Sequence, residues 1–142
     1  MDYMAARTSY FPPKSARKFF AWADRIPGCS VRKSSTSEDK FALIFNGYPV
    51  PEERFSDASH IDGVIHGFGD LVDFDYAKEL AEHIQDGWAA AHMEVGSENM
   101  QMYGRMMIIR SDGKVRSMSL LEWLAEQVEE DLGAFEIGEP LD

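Results

Sequence analysis

The chain has 142 residues, 44% of them apolar and 12% aromatic, with a formal net charge of −11. That length suits one domain with a real core, the aromatic content excludes a disordered polymer, and the charge works against direct contact with nucleic acid. The lone Cys29 excludes an internal disulfide, and the sequence shows neither a leader-like start nor an apolar run of ~20 residues, so the expectation is a cytoplasmic protein of a single domain, residues 1–142.

The charges are segregated along the chain. Residues 1–50 hold eight Lys/Arg against four Asp/Glu, whereas residues 51–142 hold six against twenty-one. Nothing after Arg116 is basic, while eight carboxylates follow it. A field this uneven steers the molecule toward basic surfaces.

Residues 1–14 read as an N-terminal arm ending at Pro12-Pro13. Ser15 then stands as the N-cap of a helix closing at Pro27-Gly28, with Phe19, Phe20, Trp22, Ala23 and Ile26 on one face and Arg17, Lys18 and Arg25 on the other. A short strand at 29–33 and a stronger one at 40–45 make a hairpin around the polar turn 34–39. Residues 46–72 read as an irregular segment, because Gly47, Pro49, Pro51, Gly63, Gly67 and Gly69 interrupt every period, with one extra strand expected near 64–68.

From Asp73 or Asp75, either a suitable cap, a helix is expected to about Met93, with Tyr76, Leu80, Ile84, Trp88 and Ala91 inward and Lys78, Glu79, Glu82 and Asp86 outward. Residues 100–110 read as a central strand, and Asp112-Gly113 as the two-residue type I′ loop of a hairpin returning at 115–118. Ser119 and Glu122 form a capping box that opens a last helix closing at Gly133, and 134–142 is an acidic tail. The fold class expected is α+β: an antiparallel sheet of about four strands in two hairpins, one extra strand, and three helices packed mainly on one face.

Few constellations carry chemistry. His60, Asp62, His66, Asp70 and Asp73 are metal-ligand types, and His60, His66 and Asp70 are the weak metal candidates, but their spacing matches no ligand pattern and Asp/Gly-rich loops serve turns. Cys29 after Pro-Gly reads as a structural thiol. No nucleophile elbow or phosphate loop is present, and Gly63, Gly67 and Gly69 reverse the dinucleotide spacing. No catalytic residue and no cofactor is therefore assigned. The six methionines between Met93 and Met118 read as strand core, with Met93 and Met107 as the exposed ones.

The acidic helices carry the functional expectation. Glu122, Glu126, Glu129 and Glu130 share a sector of the last helix beside Trp123, and Glu79, Glu82 and Asp86 line the helix before it. An aromatic anchor beside carboxylates suits a basic protein surface, such as the nucleic-acid groove of a nuclease or nucleoprotein complex. The reading is a non-catalytic inhibitor of the kind phages direct against host defence, anti-CRISPR or antirestriction, or of the immunity-protein kind. Two alternatives stand beside it: a small enzyme or ligand-binding protein using the His/Asp-rich segment 60–75, and an oligomeric assembly protein, for instance a homodimer pairing the basic first helix with acidic surface.

Overall fold

The computed structural model describes residues 3–46, 50–61, 64–98, 101–123 and 125–126. Among them the chain is mostly sheet. Eight strands are present: β1 Tyr3–Thr8, β2 Cys29–Lys33, β3 Phe41–Asn46, β4 Glu53–Ile61, β5 Val64–Asp73, β6 Ala89–Glu98, β7 Gln101–Arg110 and β8 Val115–Ser119. Helices α1 Ala16–Ala23 and α2 Tyr76–His83 are eight residues each, and residues 120–123 and 125–126 are also helical. The expected four-strand sheet with three packed helices is therefore replaced by a six-stranded antiparallel sheet, β2-β3-β1-β6-β7-β8, and a separate two-stranded sheet, β4-β5.

Three local decisions account for the difference. Residues 3–8, read as arm, pair with β3 on one side and β6 on the other, so the supposed arm is a central strand. The helix expected to reach Met93 stops at His83: Ile84 is extended, Gly87 sits at φ 85°, and Ala89 starts a strand. Ala89-Ala90-Ala91 has high intrinsic helix propensity, but pairing with β7 along its length, with Ser9 bonded to Ala91 on the other side, overrides it. Strands β4 and β5 pair as an antiparallel hairpin with a register shift between Phe55 and Asp57, and Gly69, at φ 91°, lies opposite that shift. The glycine read as a breaker thus supplies the conformation of a β-bulge.

Strands β1, β2, β3 and β6 with the two helices make a split βαβ arrangement, to which β7 and β8 add an edge. Ser15 caps α1 by accepting the Lys18 N–H at 3.3 Å, and Asp75 caps α2 by accepting that of Lys78 at 3.2 Å. Both helices bury their apolar sides on one face of the sheet, where Phe19, Trp22, Ile26, Tyr76, Leu80 and Ile84 meet Ala6, Leu43, Phe45, Ala90, Met107 and Ile109. Thr8 belongs to this face, and its buried hydroxyl accepts the Leu43 N–H at 2.9 Å.

The opposite face carries the row Ser30, Ile44, Arg7, Met93, Met106 and Met118, related by direct cross-strand pairing. Met93 is exposed as expected, whereas Met107 points to the helices and is buried. Leu120 also lies on this opposite side: a Cβ built on Gly104, the cross-strand partner of Val95, falls 3.1 Å from the Leu120 Cβ. The last helix therefore starts on the far side of the sheet from α1 and α2, with Leu120, Leu121 and Trp123 exposed. Its Ser119 cap is present, the hydroxyl accepting the Glu122 N–H at 3.0 Å.

The β7-β8 hairpin exists, but its turn is longer than expected. The Arg110 N–H donates to the Lys114 carbonyl at 2.9 Å and the Gly113 N–H to the Arg110 carbonyl at 3.0 Å, with Gly113 at φ 90°. Those bonds enclose three loop residues ending on a left-handed glycine in place of a two-residue type I′ loop. No helix among the described residues is long and apolar enough to cross a membrane.

Candidate functional site

The β4-β5 hairpin is fastened to the body at its open end. The Phe55 N–H donates to the Arg25 carbonyl at 2.8 Å, and Arg54 reaches from β4 to Glu79 on α2. Glu79 is the hub of this joint: its Oε1 accepts Trp22 Nε1 at 2.8 Å and Arg54 Nε at 2.8 Å, and its Oε2 accepts Arg54 Nη2 at 3.2 Å. Burial pulls the Glu79 carboxyl up, but the hydrogen bonds from Arg54 and Trp22 and the charges of Arg54 and Arg25 outweigh it and hold the group below its ordinary value. Glu79, one of the residues expected on a partner surface, ties α1, α2 and the hairpin together.

Around this joint the exposed carboxylates gather. Glu52, Glu53, Asp57, Asp70, Asp73 and Asp75 are all exposed, and they come from the hairpin's lower half and the α2 cap. Arg54 is the one base between positions 52 and 75, and Glu79 already engages it. Glu53 and Asp73 are direct cross-strand partners, two like charges opposite one another. Such a pair is destabilising in a sheet.

Beside the carboxylates opens a cleft of about 650 Å³, lined by Val50, Pro51, Glu52, Asp73, Phe74, Asp75, Tyr76, Ala77 and Met107. Behind it Tyr76 and His92 are buried with the tyrosine hydroxyl 3.0 Å from His92 Nδ1. Burial, and after it the neighbouring Cys29, pushes the Tyr76 hydroxyl well above its ordinary value. The pair is sealed among Phe45 and Trp22, which suits a structural link better than acid-base work. Two residues along β6 from His92, Glu94 is only 6% exposed and its Oε2 has no hydrogen-bond partner among the described residues. Burial raises the Glu94 carboxyl, with Arg105 partly opposing.

Of the remaining candidates, Glu82 is exposed and Asp86 forms a solvent-facing pair with Lys14 at 3.5 Å, a contact of small energetic weight. Glu122 is exposed, Glu126 pairs with Arg116 at 3.4 Å, and Trp123 is 37% exposed. Glu129, Glu130 and the tail 134–142 lie outside the described residues. Asp70 is exposed beside the bulge; in the hairpin register His66 stands opposite Ser59 and His60 opposite Ile65, and their side chains lie outside the described set. Among the described residues no group of three or more His, Cys, Asp or Glu is placed to hold a metal ion. Cys29 is half-buried, and burial, with Asp24 adding to it, pushes its thiol up to about 12, which suppresses the nucleophilic thiolate.

The structure thus gathers a carboxylate group at 52–57 and 70–75 that helical periodicity missed. The sequence signal that points to two paired strands here is the dipeptide Asp62-Gly63, a composition that favours hairpin turns. Comparison with known protein families, with characterised proteins and with solved structures returned no match.

Proposed function

We infer that this chain is a non-catalytic binding protein whose carboxylate-rich surface, at the open end of the β4-β5 hairpin and the start of α2, docks on a basic protein. The observation that supports it above the others is the Glu53–Asp73 pair, because opposed carboxylates on a paired ribbon weaken folding and become favourable once a partner supplies a cation between them. Acidic positions that oppose the fold's own stability are better explained by an external partner than by solubility, which any unpaired surface site could provide.

The partner class is a protein that handles nucleic acid, a nuclease or nucleoprotein complex, since its groove displays Lys and Arg where phosphates bind and carboxylates can occupy those positions. The protein then acts as an inhibitor in the cytoplasm, of the anti-defence or immunity type. The acidic start of the last helix, with Glu122 exposed and Glu126 paired with Arg116, lies on the other side of the sheet and contributes to the overall negative charge rather than to this surface.

The test is a titration of the full chain against basic nucleases and their nucleic-acid complexes at low and high salt. The expected result is binding that weakens steeply with salt, competes with nucleic acid and is lost on reversing Glu53 and Asp73 to Lys. Binding indifferent to both salt and these reversals contradicts the reading.

A further inference from the structure

The cleft beside the opposed carboxylates has a chemistry of its own. Its body is apolar and aromatic, from Val50, Pro51, Phe74, Tyr76 and Met107, while Glu52, Asp73 and Asp75 add three carboxyl groups, and none of the described lining residues is basic. It is an open surface cleft of about 650 Å³, wide enough to admit a side chain from solvent. Phe74 already receives a guanidinium within this chain, the Arg54 Cζ standing 5.6 Å from the ring centroid.

We propose that this cleft receives an arginine side chain of the basic partner, an inference that rests on the acidic-surface reading above. Arginine fits on three grounds. Its planar guanidinium stacks on an aromatic ring, it forks hydrogen bonds to carboxylates, and it is less strongly hydrated than an ammonium, so it enters a partly apolar site at lower cost. Its aliphatic stem lies against Val50, Pro51 and Met107. Lysine, a hydrated point charge, gains from the carboxylates but not from the ring geometry. The cleft is then the anchor of the interface, with the surrounding acids acting at longer range.

The experiment uses the intact chain with two probes, a short oligoarginine peptide and an oligolysine peptide of equal length, followed by calorimetry and by amide shift mapping. Asp73→Asn with Asp75→Asn removes two cleft charges while asparagine keeps the α2 cap, and Phe74→Leu removes the ring. Asp73→Asn alone serves if the double variant folds poorly, and Glu122→Gln with Glu126→Gln is the remote control.

The proposal expects oligoarginine to bind at least about fivefold tighter than oligolysine, a preference lost in Phe74→Leu, and the double cleft variant to lose at least about fivefold where the control loses less than about twofold. Shifts on arginine binding should centre on residues 73–77 and 107. Equal binding of both peptides, with cleft and control variants alike, overturns the cleft while leaving the acidic surface in place. Failure of both peptides to bind at low salt overturns the acidic-surface reading and the cleft with it.

Discussion

Glu79→Ala is the sharpest perturbation of the joint that holds the hairpin. Glu79 accepts two hydrogen bonds from Arg54 and one from the Trp22 indole, and the Arg54 and Glu79 side chains are 18% and 23% exposed. Truncating one member of a fully buried ion pair costs ~3–5 kcal/mol; partial solvent access to both ends reduces that here to about 2–3 kcal/mol. Part of the cost is the Trp22 N–H left without its acceptor, since Trp22 is only 2% exposed. The assay is denaturant unfolding followed by tryptophan fluorescence, with Glu82→Ala as the exposed control. Glu79→Gln, which can still accept the indole hydrogen bond, should lose roughly half as much. The reasoning fails if Glu79→Ala costs less than about 0.5 kcal/mol, the size of an ordinary surface substitution, or no more than Glu82→Ala.

Three further perturbations follow from single sites. Tyr76→Phe removes the hydroxyl beside His92 and should cost about 1–2 kcal/mol in the same assay, with little change in the unfolding slope. Gly69→Ala places a Cβ on a φ 91° residue and against the Ser56 hydroxyl, so the hairpin should lose about 1–2 kcal/mol, read as faster amide exchange in β4 and β5. Glu94 and Glu79 give opposite pH signatures. The folded Glu94 carboxyl lies above its unfolded value, so its cost is absent in acid and grows as pH rises through the folded value; Glu94→Gln should therefore stabilise near neutral pH and do nothing in strong acid. Glu79 lies below its unfolded value, so its stabilisation is present above the unfolded value and is lost as pH falls through the folded one, and Glu79→Gln should flatten the acid side of the stability curve.

What was legible in the sequence was local and capped. Ser15 and Asp75 mark helix starts because a side-chain oxygen meets an otherwise unpaired N–H, a rule that needs no tertiary context. The 29–46 hairpin was readable because Phe41, Leu43 and Phe45 alternate cleanly. Non-local pairing escaped. Residues 3–8 carry no strong strand pattern and become a strand through two partners distant in sequence, and Ala89–Ala91 is extended by pairing with β7.

The carboxylate group at 52–57 and 70–75 was hidden from the sequence for the same reason. Helical periodicity placed Glu79, Glu82 and Asp86 on one outward face, but the hairpin folds over Glu79, and only the register of β4 on β5 brings Glu53 and Asp73 together. A bulge at Gly69 hid that register, since one extra residue breaks the two-residue period.

The central claim is that the hairpin's carboxylates are placed for a partner at some expense to the fold, and Asp73→Asn measures both sides of it. Stability of the free chain and affinity for a basic nuclease or oligoarginine peptide are determined on the same preparation. The account predicts a free chain that is unchanged or more stable, by up to about 1 kcal/mol, as the Glu53–Asp73 repulsion is removed, together with weaker binding. A variant that is less stable yet binds as well as the parent contradicts it.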